Sequence, residues 1–157
     1  MKVQYVIDLE KVEASDSVLR EFTVRPVTPF DLEILAKLML DAYRDTIDFD
    51  DETLDDARGE IADFFDSEPL HQHSTIVLDK KTAVSACLVN RWGDKGAFVG
   101  YVMTDPRYKG QGIGTACVAT SLQSLADAGE RLATLFITEG NTPSERLFEN
   151  LGARRVD

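Results

Sequence analysis

The stretch with the most chemistry in it is Lys109-Gly110-Gln111-Gly112-Ile113-Gly114-Thr115, where three glycines recur at two-residue spacing beside one cation. Glycine lets a backbone turn sharply and come close to a ligand, and the first N–H groups of a helix have no partner inside it. A helix starting within this stretch offers a phosphate cradle of free amides. Each negative charge placed there gains roughly 0.3–1 kcal/mol from the helix dipole in addition to its hydrogen bonds. A Walker loop requires G-x-x-x-x-G-K-[ST], and no lysine follows Gly114. A dinucleotide fold requires G-x-G-x-x-G after its first strand, yet Gly112-Ile113-Gly114 is followed three positions later by Cys117, late in the chain. A flexible loop leading into an ordinary helix is the plain alternative for the glycines alone.

The elements that must position this turn are legible as periods. Val3, Tyr5, Ile7 and Leu9 alternate as in a strand, a polar stretch Lys11–Ser17 follows, and a second strand is expected over Glu21–Val27. Thr28-Pro29-Phe30-Asp31 has a cap, a first-turn proline and an acid for the start of a helix that carries Leu32, Leu35, Ala36, Leu38, Met39, Ala42 and Tyr43. A second helix is expected over Glu52–Asp66, with Leu54, Ala57, Ile61, Phe64 and Phe65 as its apolar stripe. Strands at Ser74–Leu78, Ala83–Asn90 and Ala97–Thr104 should form an antiparallel meander, with Gly93-Asp94-Lys95-Gly96 turning between the last two. A helix from Gly112 to Gly129, a strand at Leu132–Ile137 and a helix over Pro143–Leu151 complete the order β-β-α-α-β-β-β-α-β-α. Residues 97–137 thus read as a β-α-β unit with parallel strands and a right-handed crossover, its glycines at the strand-to-helix turn.

With 157 residues, 43% of them hydrophobic, the chain is expected to fold as a single domain: 1–20 as N-terminal strand and polar connector, 21–157 as core. Its 28 acidic against 17 basic side chains argue against nucleic acid as a partner. No run of roughly 18 apolar residues suggests a membrane partner, and no signal peptide is expected at Met1–Glu10. Cys87 and Cys117 sit in apolar stretches and read as buried thiols of a cytoplasmic protein. His71 and His73 lack a nearby cysteine or carboxylate cluster, so no metal is expected.

The glycine turn resembles the [QR]-x-x-G-x-[GA] signature of the GCN5-related N-acetyltransferase (GNAT) family, with Lys109, Gly112 and Gly114 at the matching positions after Thr104-Asp105-Pro106-Arg107-Tyr108. Lysine here replaces the commoner arginine or glutamine, which keeps the cation and loses the planar fork. Val24-Arg25-Pro26 before Asp31-Leu32 is similar to that family's entry into its first helix. Asn141 through Ala153 looks like its N-x-x-[AS]-x-x-L-[YF]-x-x-x-G segment. The resemblance spans about Phe22–Ala153. It implies an α/β fold with a mixed, mostly antiparallel central sheet, helices on both faces, and acetyl-CoA as cosubstrate. The pyrophosphate would rest on residues Gly110, Gln111, Gly112, Ile113, Gly114 and Thr115. The pantetheine arm would bond the backbone near Met103 and Thr104, with Asn141 and Phe148 as further contacts. Thr142, Pro143 and Glu145 already form a capping box, which explains that helix start without a ligand.

The implied activity is transfer of the acetyl group to a primary amine of a small molecule or peptide. A non-catalytic acyl-CoA-binding or regulatory module is the alternative. An alkylammonium with a pKa near 10.4 is neutral in only about one molecule in 2,500 at pH 7, so a base is useful. The strand Ala97–Thr104 contains no carboxylate, where many relatives have a glutamate, and Glu139 is the nearest candidate in sequence. The family's proton-donating tyrosine aligns with Phe148. Tyr101 or Ser144 is then the substitute donor, or the thiolate leaves unassisted.

Residues 41–68 hold twelve acidic side chains against Arg44 and Arg58. In the resembled family this region borders the acceptor site, so a cationic amine would be attracted, although a solvated helix face explains the charge equally. The family usually continues with further strands after the position of Gly152. The strand at residues 1–10, or a second subunit in a homodimer, is expected to fill the edge they would occupy.

Overall fold

The protein is described here by a computed structural model covering residues 1–13, 17–44 and 46–156. Residues 14–16 of the polar connector, Asp45 of the acidic stretch and Asp157 lie outside the described residues. The alternation of Val3, Tyr5 and Ile7 makes strand β1 (Lys2–Asp8), with all three side chains buried. After β2 (Thr23–Pro26), the residues Pro29–Asp31 form a separate tight turn, so helix α1 (Leu32–Tyr43) starts later than Thr28 suggests. The buried carboxylate of Asp31 explains the turn: it accepts the Thr28 amide at 2.9 Å and both Arg25 guanidinium nitrogens at 2.7 and 2.8 Å. The Arg25 bonds hold the Asp31 carboxyl below the usual carboxylate range. Helix α2 (Leu54–Asp66) is capped by Thr53, whose hydroxyl accepts the Asp56 amide at 3.2 Å, while the Asp56 carboxylate accepts the Thr53 amide at 2.8 Å.

Strands β3 (Thr75–Asp79), β4 (Thr82–Arg91) and β5 (Ala97–Thr104) form the expected antiparallel meander. Helix α3 (Ile113–Asp127), strand β6 (Leu132–Thr138), helix α4 (Thr142–Asn150) and the two-residue strand β7 (Arg154–Arg155) follow. The seven strands make one open sheet in the order β2-β3-β4-β5-β6-β1-β7. Only β5 and β6 run parallel, as the β-α-β reading required. Strand β1 fills the edge in question, pairing antiparallel with β6 along its whole length and with β7 on its other side.

Period-two patterning sorts the core into two layers. Ile76, Leu78, Ala86, Leu88 and Met103 face α1 and α2, which bury Leu35, Leu38, Met39, Ile61 and Phe64. Val77, Val84, Cys87 and Val99 face α3, whose Cys117, Val118, Leu122 and Leu125 are fully buried. Each such leucine contributes about 1.5–3 kcal/mol relative to leaving it exposed. Among the described residues no helix is long and apolar enough to cross a membrane.

Two local details differ from the sequence reading. Asn141, not Thr142, caps α4, its side-chain oxygen accepting the Ser144 amide at 3.4 Å, which moves Thr142 and Pro143 inside the first turn. Strand β5 carries an extra residue: Leu88 pairs with Tyr101 and Val89 with Val99, leaving Gly100 as a bulge.

Candidate active site

The bulge at Gly100 sits where β5 leaves β6. The two strands pair only at Ala97–Ala133 and Phe98–Thr134, and beyond those pairs a gap opens between them. Successive residues of a strand turn their backbone groups to opposite edges. Asp105 donates its amide to the Val84 carbonyl at 2.8 Å, and the Met103 carbonyl accepts the Ser85 hydroxyl at 2.9 Å, so these residues face β4. Val102 and Thr104 therefore face the gap, where the Tyr43 hydroxyl donates to the Val102 carbonyl at 3.0 Å. Burial holds the Tyr43 hydroxyl protonated by raising its pKa, and Asp48 adds to the effect.

A cavity lies on each side of the gap. The smaller, about 500 Å³, is lined by Thr104, Lys109, Gly110 and the first turn of α3. Gly112 caps that helix with φ +80°, a left-handed conformation that costs glycine nothing. A Cβ on Gly114 would stand 2.8 Å from the Thr104 hydroxyl, so this position must be bare for α3 to approach β5. Among the described residues nothing accepts a hydrogen bond from the amides of residues 110–115. These open amides stand beside Lys109 at the start of α3, on the wall of the smaller cavity.

The larger cavity, about 740 Å³, is lined by α1, α2, the loop between them, and the parted ends of β5 and β6. Asp48, Glu52, Asp55, Asp56, Glu60 and Asp63 all contribute to its wall, with Lys2 from β1 as the one basic side chain. Tyr43, Val102, Asn141 and Ser144 line both cavities. Asp48 ties the loop after α1 across the gap, accepting the Thr138 hydroxyl at 2.7 Å and the Asn141 amide nitrogen at 3.1 Å.

These positions revise several sequence-derived candidates. Met103 lines neither cavity: its side chain is in the core and its backbone faces β4, so Val102 replaces it beside Thr104. Glu139 is exposed and in neither cavity, because it continues the edge of β6, its amide bonded to the Met1 carbonyl at 2.8 Å. Gln111 is exposed at the outside of the glycine turn. Tyr101 reaches only the larger cavity, where its hydroxyl is bonded to Glu60 on α2, and burial raises its pKa. Ser144 stands on the shared wall, Phe148 is buried at the larger cavity, and Asn141 lines both cavities while also capping α4. In the sequence Tyr43 and Val102 are legible only as helix and strand residues, and Glu60 only as one of the twelve acids of residues 41–68. Gly100 inside a strand pattern was the available hint of a bulge, and hence of a gap.

The cysteines and histidines serve the core and the surface. Burial pushes the Cys87 thiol up to about 12 and raises that of Cys117, so neither is a ready nucleophile. His73 bonds the Ser124 hydroxyl at 2.7 Å, and His71 stacks on Phe65 with ring centroids 5.6 Å apart.

A family model described as acetyltransferase (GNAT) family matches residues 33–153. No curated protein sequence matches the chain. A crystal structure of a GCN5-related N-acetyltransferase from Sphaerobacter thermophilus superposes with a TM-score of 0.74 at 16% identity, covering 99% of this chain and 48% of that one. The chain thus spans about half the length of that relative. The ribosomal-protein-S18-alanine N-acetyltransferase from Escherichia coli gives a TM-score of 0.68 at 18% identity, covering 83% of this chain and 76% of that one. The diaminobutyrate acetyltransferase from Paenibacillus lautus, in complex with L-2,4-diaminobutyric acid and coenzyme A, gives 0.64 at 21% identity, covering 83% and 74%.

Proposed function

We propose that this chain, which belongs to the acetyltransferase (GNAT) family, transfers the acetyl group of acetyl-CoA to a primary amine of a small molecule or peptide, with cationic amines preferred. The observation that carries this reading is the gap between β5 and β6, flanked by an amide-lined cavity on one side and a carboxylate-lined cavity on the other. Bound acetyl-CoA supplies a thioester carbonyl open to attack by an amine.

The residues present fit that group. The open amides of residues 110–115 and the Lys109 ammonium suit a diphosphate, and the absence of a side chain at Gly114 keeps α3 close to β5. The gap-facing backbone of Val102 and Thr104 offers the edge of an incomplete sheet to an extended amide-bearing arm. The gap-facing Val102 amide is our candidate donor to negative charge developing on an acyl oxygen, and the Tyr43 bond to the Val102 carbonyl anchors the adjoining peptide. Ser144, on the wall shared by the cavities, is the side chain we assign as proton donor to a departing sulfur. A thiol with an ordinary pKa near 8.5 also leaves tolerably without help. Six carboxylates around the larger cavity attract an ammonium and repel anions. Two ligands of the Paenibacillus lautus enzyme, coenzyme A and a diamino acid, agree with this division of labour.

The test is calorimetric titration with acetyl-CoA, followed by thiol release on mixing with a panel of mono-, di- and polyamines. Micromolar binding and amine-dependent thiol release are expected. Binding without release from any amine would favour a non-catalytic acyl-CoA-binding module, and no binding at all would sink the reading.

A further inference from the structure

Strand β5 has no carboxylate of its own, and Glu139 stands outside both cavities, so a proton acceptor for the incoming ammonium has to come from elsewhere. The larger cavity offers six carboxylates, and most are already committed. Asp48 holds Thr138 and Asn141. Glu52 accepts the Asp50 amide at 2.7 Å, Asp55 pairs with Arg58 at 2.5 Å, and Asp56 closes the α2 capping box. Glu60 and Asp63 remain. Of these, only Glu60 is bonded to the strand that borders the gap, through the hydroxyl of Tyr101, the neighbour of Val102.

We propose that Glu60 is the catalytic base for the acceptor amine and that Tyr101 is the positioning residue that holds it against β5. This rests on the acetyltransferase reading above. The Tyr101 hydroxyl occupies one lone pair of the Glu60 Oε2, leaving Oε1 free to receive an ammonium N–H. In the step assigned to Glu60, that N–H bond breaks, its electron pair stays on nitrogen, and the proton passes to the carboxylate to give a carboxylic acid. Water later removes this proton. The neutral amine is then next to Val102, whose backbone faces the gap. Tyr101 cannot take the proton itself, because its hydroxyl is already protonated and donates to Glu60. Titratable side chains that share the cavity with Glu60 are Tyr101 of β5, Tyr43 of α1, Lys2 of β1, Asp48 and Glu52 of the loop, and Asp55, Asp56 and Asp63 of α2.

The experiment compares wild type, Glu60→Gln and Asp63→Asn with spermidine as the acceptor. Glutamine retains an oxygen for Tyr101, so the packing of α2 on β5 persists while the base is lost. In Glu60→Gln, kcat/KM at pH 7 is expected to fall on the order of a hundredfold. It should recover by about one decade per pH unit as the amine loses its proton to solvent. The affinity of the thioester-free protein for spermidine should fall about fivefold, as for one half-exposed ion pair. Acetyl-CoA affinity and Tm should stay at wild-type values, and Asp63→Asn, which removes one carboxylate from the same wall, should lose spermidine affinity to a similar degree while keeping the kcat and the pH profile of wild type. A Glu60→Gln profile that overlays wild type, or an equal loss of kcat in Asp63→Asn, would overturn the assignment while leaving the acetyltransferase reading intact. Wild type that binds acetyl-CoA yet releases no thiol with spermidine would overturn the cationic-acceptor reading and this assignment together.

Discussion

On one side of the β5–β6 gap the smaller cavity presents backbone: amides of residues 110–115, a bare Gly114 and a single lysine. On the other side the larger cavity presents side chains, six carboxylates drawn mostly from one helix and the loop before it. The first surface suits a ligand of fixed shape and high negative charge, since its donors are held by the fold and lose no rotamer freedom on binding. The second suits positively charged ligands of varied shape, since flexible acids reach a cation from many directions. On the function proposed above, specificity for the acyl donor is rigid while the choice of acceptor drifts by surface substitution.

The sharpest way to break this contrast is Gly114→Val. Its Cβ would meet the Thr104 hydroxyl at 2.8 Å, forcing α3 away from β5. Acetyl-CoA affinity should fall on the order of a hundredfold, with spermidine affinity unchanged. Equal losses for both ligands, measured by calorimetry, would show that the cavities are not separate in function. Tyr43→Phe removes the bond to the Val102 carbonyl at the wall common to both. It should lower kcat about tenfold with less than threefold change in either affinity. A change confined to KM would assign Tyr43 to binding alone. Lys109→Ala should weaken acetyl-CoA about fivefold at low salt and by less at 0.5 M salt, because the side chain is exposed.

The smallest effect on either ligand is expected from Asp31→Asn, which lies outside both cavities. Its cost is stability, about 1–3 kcal/mol near neutral pH. The Asp31 carboxyl is held low by Arg25, so its contribution is complete above the carboxylate's unfolded value near 3.9 and is lost as pH falls through the lower folded value. Wild type and variant should therefore converge in stability at strongly acid pH. A gap that persists at pH 2 in denaturant titrations would mean that the Arg25 pair is not its source.

The contrast between the cavities also explains what could be read in advance. The glycine turn that we propose as an anion cradle was legible as a strand-to-helix turn because such a turn is written locally, as glycines at two-residue spacing between a strand and a helix. Strand β1 was legible from its period of two, and an edge needing cover left two occupants open, this strand or a second subunit, of which β1 pairs with β6. On the larger cavity the acids of residues 41–68 were legible as a charged stretch, but the side chains they meet across it were not. Tyr43 meets Val102 across 59 positions and Glu60 meets Tyr101 across 41, and no period or spacing encodes such pairs. Proximity in sequence pointed instead to Glu139, which the run of β6 carries out to the surface. Met103 differs from Val102 by one step, but one step along a strand reverses the edge to which a backbone group is presented. Similarly, the strand β7 is too short to leave a pattern, and the shift of the α4 cap from Thr142 to Asn141 turns on one residue among several good caps.

The pairing of β1 with β6 has a bearing on how the chain is made. Residues 2–8 leave the ribosome long before residues 132–138 exist, so the segment must wait while all the residues between them are made, with an apolar face and unsatisfied edges. Closing so wide a loop puts this pairing among the late events of folding. A chaperone that shelters the nascent β1 segment should therefore raise the yield of folded protein more than one acting on the finished chain.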